Sequence, residues 1–131
     1  MRIDAVDVGL VSATDALVAF YERALGAEPL EPRVFPFATV HRLACGPLVV
    51  KVMVPAEAPA HPEPASPFWA RAGLRYLTLW VDDLDALVAA WAAAGGAVTM
   101  AATALRPGVR TALLADPDGN VVEAMEESTP A

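Results

Sequence analysis

The pentapeptide DALVA stands at residues 15–19 and again, seventy residues later, at 85–89. The likeness continues outward in order. Phe20-Tyr21 is answered in kind by Ala90-Trp91 and Gly26-Ala27 by Gly96-Ala97, while Val49-Val50-Lys51-Val52-Met53 aligns with Val121-Val122-Glu123-Ala124-Met125 at an offset of seventy-two. Ordered echoes at a nearly constant offset indicate two related modules. The 131 residues suit one domain with one sizeable core, so both modules belong to a single unit of organisation, residues 1–131.

Each module reads as strand, helix, strands. Val6, Val8 and Leu10 alternate along a first strand from Asp4 to Val11. Thr14 is the expected N-cap of a helix whose Leu17, Phe20, Tyr21 and Leu25 fall at helical spacing, with Gly26 closing it in a left-handed conformation. Strands follow near Ala38 to Leu43 and Leu48 to Val54, joined through Gly46-Pro47. The second module repeats the order. A strand from Leu74 to Val81 leads to a helix from about Asp83 to Ala94, with Leu84, Leu87, Val88 and Trp91 inward and Gly95-Gly96 ending it. Strands near Ala97 to Met100, Arg110 to Leu114 and Val121 to Met125 follow, the last two joined by the turn Asp116-Pro117-Asp118-Gly119. Module 1 thus spans about 1–54 and module 2 about 70–127. Between them, about 55–69, lie five prolines from Pro55 to Pro67, which favour an extended, semi-rigid linker.

Composition narrows the function. A hydrophobic content of 56% against 19% charged residues marks a folded chain. The formal net charge of -7 repels a nucleic-acid backbone, so no nucleic-acid partner is expected. Acids within the first seven residues, Asp4 and Asp7, are foreign to a secretory signal. The uncharged stretch from Leu87 to Leu105 is too rich in Ala and Gly for a membrane span. The lone Cys45 has no partner for an intrachain disulfide and no neighbouring basic residue to activate it, and it fits a reducing compartment. The expectation is a cytoplasmic protein.

The doubled βαβββ pattern, a first helix ending in FYERALG (Phe20, Tyr21, Leu25, Gly26), and a final strand announced by Asp116-Pro117-Asp118-Gly119-Asn120 with Glu123 resemble the vicinal oxygen chelate superfamily. That group includes glyoxalase I, extradiol dioxygenases, fosfomycin-modifying enzymes and the bleomycin-resistance proteins. The resemblance covers nearly the whole chain apart from the linker and the last residues, and in character is nearest to the metal-free bleomycin-resistance branch. It implies an α+β fold of two tandem βαβββ modules, whose curved mixed sheets form half-barrels around a cavity. It also implies modules that pair across chains, hence a homodimer.

Enzymes of the resembled family hold a divalent metal through the first and last strand of each module, and those four places fall here on Asp7, Lys51, Tyr76 and Glu123. The internal repeat pairs the same residues, Asp7 with Tyr76 and Lys51 with Glu123. A protonated ammonium has no lone pair, so Lys51 is incompatible with a metal, and neutral tyrosine is a poor ligand. His41 and His61 match no ligand position. No metal and no other cofactor is therefore expected. Instead, the Lys51 ammonium is expected to stand where the metal stood, between Asp7 and Glu123, which would otherwise repel each other.

Around that set, Tyr76, Thr78 and Trp80 share a strand face and form either an aromatic wall or core. Phe68 and Trp69 end the linker, placed to cover the cavity mouth or an interface. Met53 and Met125 share the parity of Lys51 and Glu123 and suit an adaptable apolar cavity. Arg110 is a solvated or carboxylate-paired side chain, or a contact for an anionic ligand. Two readings follow. The first is stoichiometric, metal-free capture of a small natural product or drug, aromatic or cationic, in line with the antibiotic-resistance branch. The second is an enzyme of the same superfamily: a metal-free isomerase, lyase or cyclase with Lys51 or Tyr76 as acid or base, or a glyoxalase or dioxygenase should a metal bind.

Overall fold

Strand periodicity in both halves resolves into two four-stranded mixed sheets, each carrying one helix, in a computed structural model that describes residues 1–63 and 65–128. The chain divides into two compact units, Met1–His61 and Pro62–Ala131, with the boundary inside the proline-rich segment.

The first unit contains β1 (Asp7–Val11), α1 (Ala16–Leu25), β2 (Glu28–Phe35), β3 (Ala38–Cys45) and β4 (Leu48–Pro55), with sheet order β1-β4-β3-β2. The second contains a short 3-10 turn (Phe68–Ala70), then β5 (Tyr76–Trp80), α2 (Leu84–Ala93), β6 (Ala97–Arg106), β7 (Val109–Ala115) and β8 (Val121–Glu127), in the order β5-β8-β7-β6. In each, the first strand runs parallel to the last and the other pairings are antiparallel. The α+β architecture of two tandem βαβββ modules is as the sequence implies.

Four local expectations are corrected. The first strand of each unit is shorter than its apolar pattern, beginning at Asp7 and at Tyr76. The N-cap of α1 is Asp15, while the Thr14 hydroxyl accepts a 3.3 Å bond from the Ala16 amide. β6 continues to Arg106, accommodated by register shifts against β7. β2 has no counterpart in the sequence reading. Its segment EPLEPRVF holds Pro29 and Pro32, which supply no amide hydrogen, and the strand survives as the sheet edge with a register shift between Leu30 and Arg33.

Each helix covers one face of its own sheet. Leu17, Phe20, Tyr21 and Ala24 are buried on α1, which packs on β3 and β2, and Leu43, Val50 and Val52 are buried on the sheet. Gly26 takes φ 64° to end the helix, a conformation open to glycine without penalty. In the second unit Leu84, Leu87 and Trp91 are buried on α2, with Ala112, Leu114, Val122 and Ala124 on the strands. The Trp91 indole donates to the Ala115 carbonyl at 2.9 Å, which satisfies its one polar atom inside the core. Because side chains alternate along a strand, the residues between these apolar positions all project from the other face. Among the described residues no helix is long and apolar enough to cross a membrane.

Candidate functional site

The open sheet faces, turned away from the helices, carry the residues singled out in the sequence. In the first unit β1 lies in register with β4, so that Asp7 opposes Val49, Gly9 opposes Lys51 and Val11 opposes Met53. In the second, Tyr76 opposes Val121, Thr78 opposes Glu123 and Trp80 opposes Met125. The two registers superimpose term for term. Asp7 corresponds to Tyr76, Gly9 to Thr78, Lys51 to Glu123 and Met53 to Met125, the alignment expected from the repeat.

Equivalent positions have acquired different chemistry. The Lys51 ammonium lies 3.1 Å from Asp7 Oδ2, an ion pair within the first unit whose side chains stay 41% and 37% exposed. Such an exposed pair contributes at most about 1 kcal/mol, so its weight is chemical rather than stabilising. In the second unit the Thr78 hydroxyl donates to Glu123 Oε1 at 2.9 Å. Tyr76 and Trp80 flank that hydrogen bond on the same strand face, 55% and 56% exposed. They are a wall rather than core, unlike Met125, which is buried. Phe68 braces Tyr76 edge-on at 5.4 Å and Trp69 edge-on at 5.0 Å, with Trp69 largely exposed. The second unit thus gathers Tyr76, Thr78, Trp80, Glu123, Phe68 and Trp69.

Arg110 lies elsewhere. Its partner across the ladder is Glu126, on the helix-bearing face, and its guanidinium forks onto Asp85 at 2.9 and 3.2 Å and reaches Glu126 at 3.3 Å. These bonds hold the Asp85 carboxyl below its ordinary range and raise the Arg110 guanidinium, chiefly through the side-chain hydrogen bond and then through charge attraction. Arg110 is a structural clamp between α2, β7 and β8 rather than a residue of the open face.

Two residues of these faces escaped the sequence reading. Thr111 opposes Met125 and is buried with its hydroxyl unpartnered among the described residues. Arg42 opposes Lys51. Strand parity assigns each to its face only once the register is known, so no signal in the sequence alone marked them.

Among the described residues no group of three or more His, Cys, Asp or Glu side chains is placed to hold a metal ion. The donors at the four equivalent positions do not fit one either, since Lys51 is cationic and bound to Asp7, and Glu123 accepts from Thr78. The Asp116 carboxylate, in the turn between β7 and β8, is also committed. It accepts from the Asp118 and Asn120 amides and the Asn120 side chain at 3.0, 2.9 and 2.8 Å.

Comparison with solved structures places this architecture among known ones. The crystal structure of SMU.1112c is 28% identical, with a TM-score of 0.75 over 95% of this chain and 100% of that one. TioX from Micromonospora sp. ML1 is 21% identical, with a TM-score of 0.71 over 95% of this chain and 99% of that one. Glyoxalase I from Zea mays is 18% identical, with a TM-score of 0.75 over 95% of this chain and 45% of that one. A comparison with curated proteins gives no match. The model of the Glyoxalase/Bleomycin resistance protein/Dioxygenase superfamily matches residues 4–124, nearly the whole chain. With the paired βαβββ units and their matched registers, this means that the chain belongs to the glyoxalase/bleomycin resistance/dioxygenase superfamily.

Proposed function

We propose that this chain is a metal-free capture protein that holds a small aromatic molecule on the open sheet face of its second unit. The observation that carries the reading is the exposed pair Tyr76 and Trp80, set either side of the Thr78–Glu123 hydrogen bond. Exposed rings on one strand face offer a planar surface for stacking, and Glu123 offers an acceptor for a donor or cationic group of the ligand. Trp69 and Phe68 extend the aromatic surface, and Met125 and the Thr111 hydroxyl lie on the same face. The binding form in this proposal is a homodimer in the cytoplasm, and no cofactor takes part.

Capture needs no acid, base or nucleophile. A metal-free enzyme of the same superfamily would need Lys51 or Tyr76 to move a proton, yet Lys51 is held by Asp7 and Tyr76 rests against Phe68. The fluorescent amine N-phenyl-1-naphthylamine serves as a neutral aromatic probe. Native protein is expected to bind it saturably and return it unchanged, and Trp80→Ala to weaken binding about tenfold, the scale of a lost stacking contact with its buried area. Equal binding by Trp80→Ala, or recovery of a converted probe, would sink the capture reading.

A further inference from the structure

The first unit's open face carries a charge pattern that the second does not. Arg42 stands directly opposite Lys51 on the antiparallel β3–β4 pair, and Lys51 directly opposite Gly9 on β1. Opposed residues share a face with Cβ atoms about 4.5–5.5 Å apart, and like charges so placed destabilise the sheet. Asp7 takes up the Lys51 ammonium. Arg42 makes no ion pair among the described residues. Arg33 and Glu28 join the same face by pairing with Val40 and Ala44, while Glu31 falls within the register shift of β2, in a chain whose net charge is -7.

Beside Lys51 lies open space. A Cβ built at Gly9 would meet nothing within 4 Å. The equivalent place in the second unit is filled by Thr78, bonded to Glu123. A glycine inside a strand costs stability, and such positions are found at bulges, at bends and where another group approaches the backbone closely.

We propose that the open face running from Gly9 past Lys51 to Arg42, one residue on each of the neighbouring strands β1, β4 and β3, is a site for the carboxylate of a small monoanionic molecule. The planar guanidinium of Arg42 receives the carboxylate through two parallel hydrogen bonds, and Lys51, still paired with Asp7, lends a further donor. The single charge of Arg42, which makes no ion pair among the described residues, matches a carboxylate, whereas a phosphate monoester carries about -1.5 to -2. The site goes beyond the aromatic capture proposed for the second unit and is built from residues of the first unit.

The test is an amide NMR titration of the whole chain with benzoate, its neutral isostere benzamide, and phenyl phosphate. Benzoate is expected to move the Gly9 and Arg42 resonances and to bind about tenfold tighter than benzamide, the usual scale for a charged hydrogen bond. Arg42→Gln should erase that preference. Gly9→Val should abolish benzoate binding without lowering Tm, because valine suits a strand and its Cβ meets no atom within 4 Å. The assignment is overturned by the absence of benzoate binding, by equal binding of benzoate and benzamide, or by a preference that survives Arg42→Gln. Tighter binding of phenyl phosphate than of benzoate would overturn the carboxylate specificity. Naphthylamine binding by native protein is measured alongside, so loss of one ligand's binding with the other's intact tells failure of one proposal from failure of the other.

Discussion

Lys51 and Glu123 occupy one position in two copies of one sheet, and the neighbour of each decides what it can do. Beside Lys51 the strand offers Gly9 and, two residues back, Asp7; beside Glu123 it offers a threonine hydroxyl. Lys51 was expected between Asp7 and Glu123; its ammonium pairs with Asp7, while Glu123 accepts from Thr78 in its own unit. Arg42 was not legible in the sequence, because its face depends on the β3–β4 register. The Arg110 clamp yields a prediction at this scale. Arg110 holds the Asp85 carboxyl below its ordinary value of 3.8. A carboxyl depressed in the folded state contributes stability that is present above its unfolded value and is lost as pH falls through the lowered folded value. Asp85→Asn should therefore narrow its stability gap to native protein as pH falls from about 5 to about 2, as read by urea denaturation at each pH. The effect is small because Asp85 is 73% exposed.

The two helices show how equivalent elements end differently. α2 begins under two caps, since Asp83 Oδ1 accepts from the Ala86 amide at 2.9 Å and Glu126, reaching over from β8, accepts from the Leu84 amide at 3.0 Å. α1 has no side-chain bond from its cap residue Asp15, and Thr14 is confined to its local contact with Ala16. Asp83→Ala is accordingly expected to cost about 1 kcal/mol by chemical denaturation, and Thr14→Ala less than half of that. Helices were legible because their apolar spacing and terminal glycines are local signals. β2 was not, since Pro29 and Pro32 read as breakers, and only an edge position with a register shift makes them tolerable in a strand. The β8 contribution to the α2 N-terminus was equally invisible, as 42 residues separate Glu126 from Leu84.

Across the whole chain, duplication explains both the symmetry of the fold and its divergence at the site. The donor chemistry predicts that excess nickel, zinc or manganese leaves the melting temperature of native protein unmoved. A bound metal at a hundred times its Kd would add about 2.7 kcal/mol and raise Tm visibly, so differential scanning calorimetry with and without metal checks it. A clear rise would overturn the reading of Lys51 as incompatible with a metal. The sequence by itself determined the doubled module, both helices, most strands and the pairing of Asp7 with Tyr76 and Lys51 with Glu123. Repeats, apolar periodicity and turn residues are written locally along the chain. Only the tertiary structure decided that Arg110 turns to α2, that Arg42 stands beside Lys51, and that room lies open over Gly9. Those facts depend on strand register and on which neighbours fill the space, and both are fixed by contacts between residues far apart in the chain.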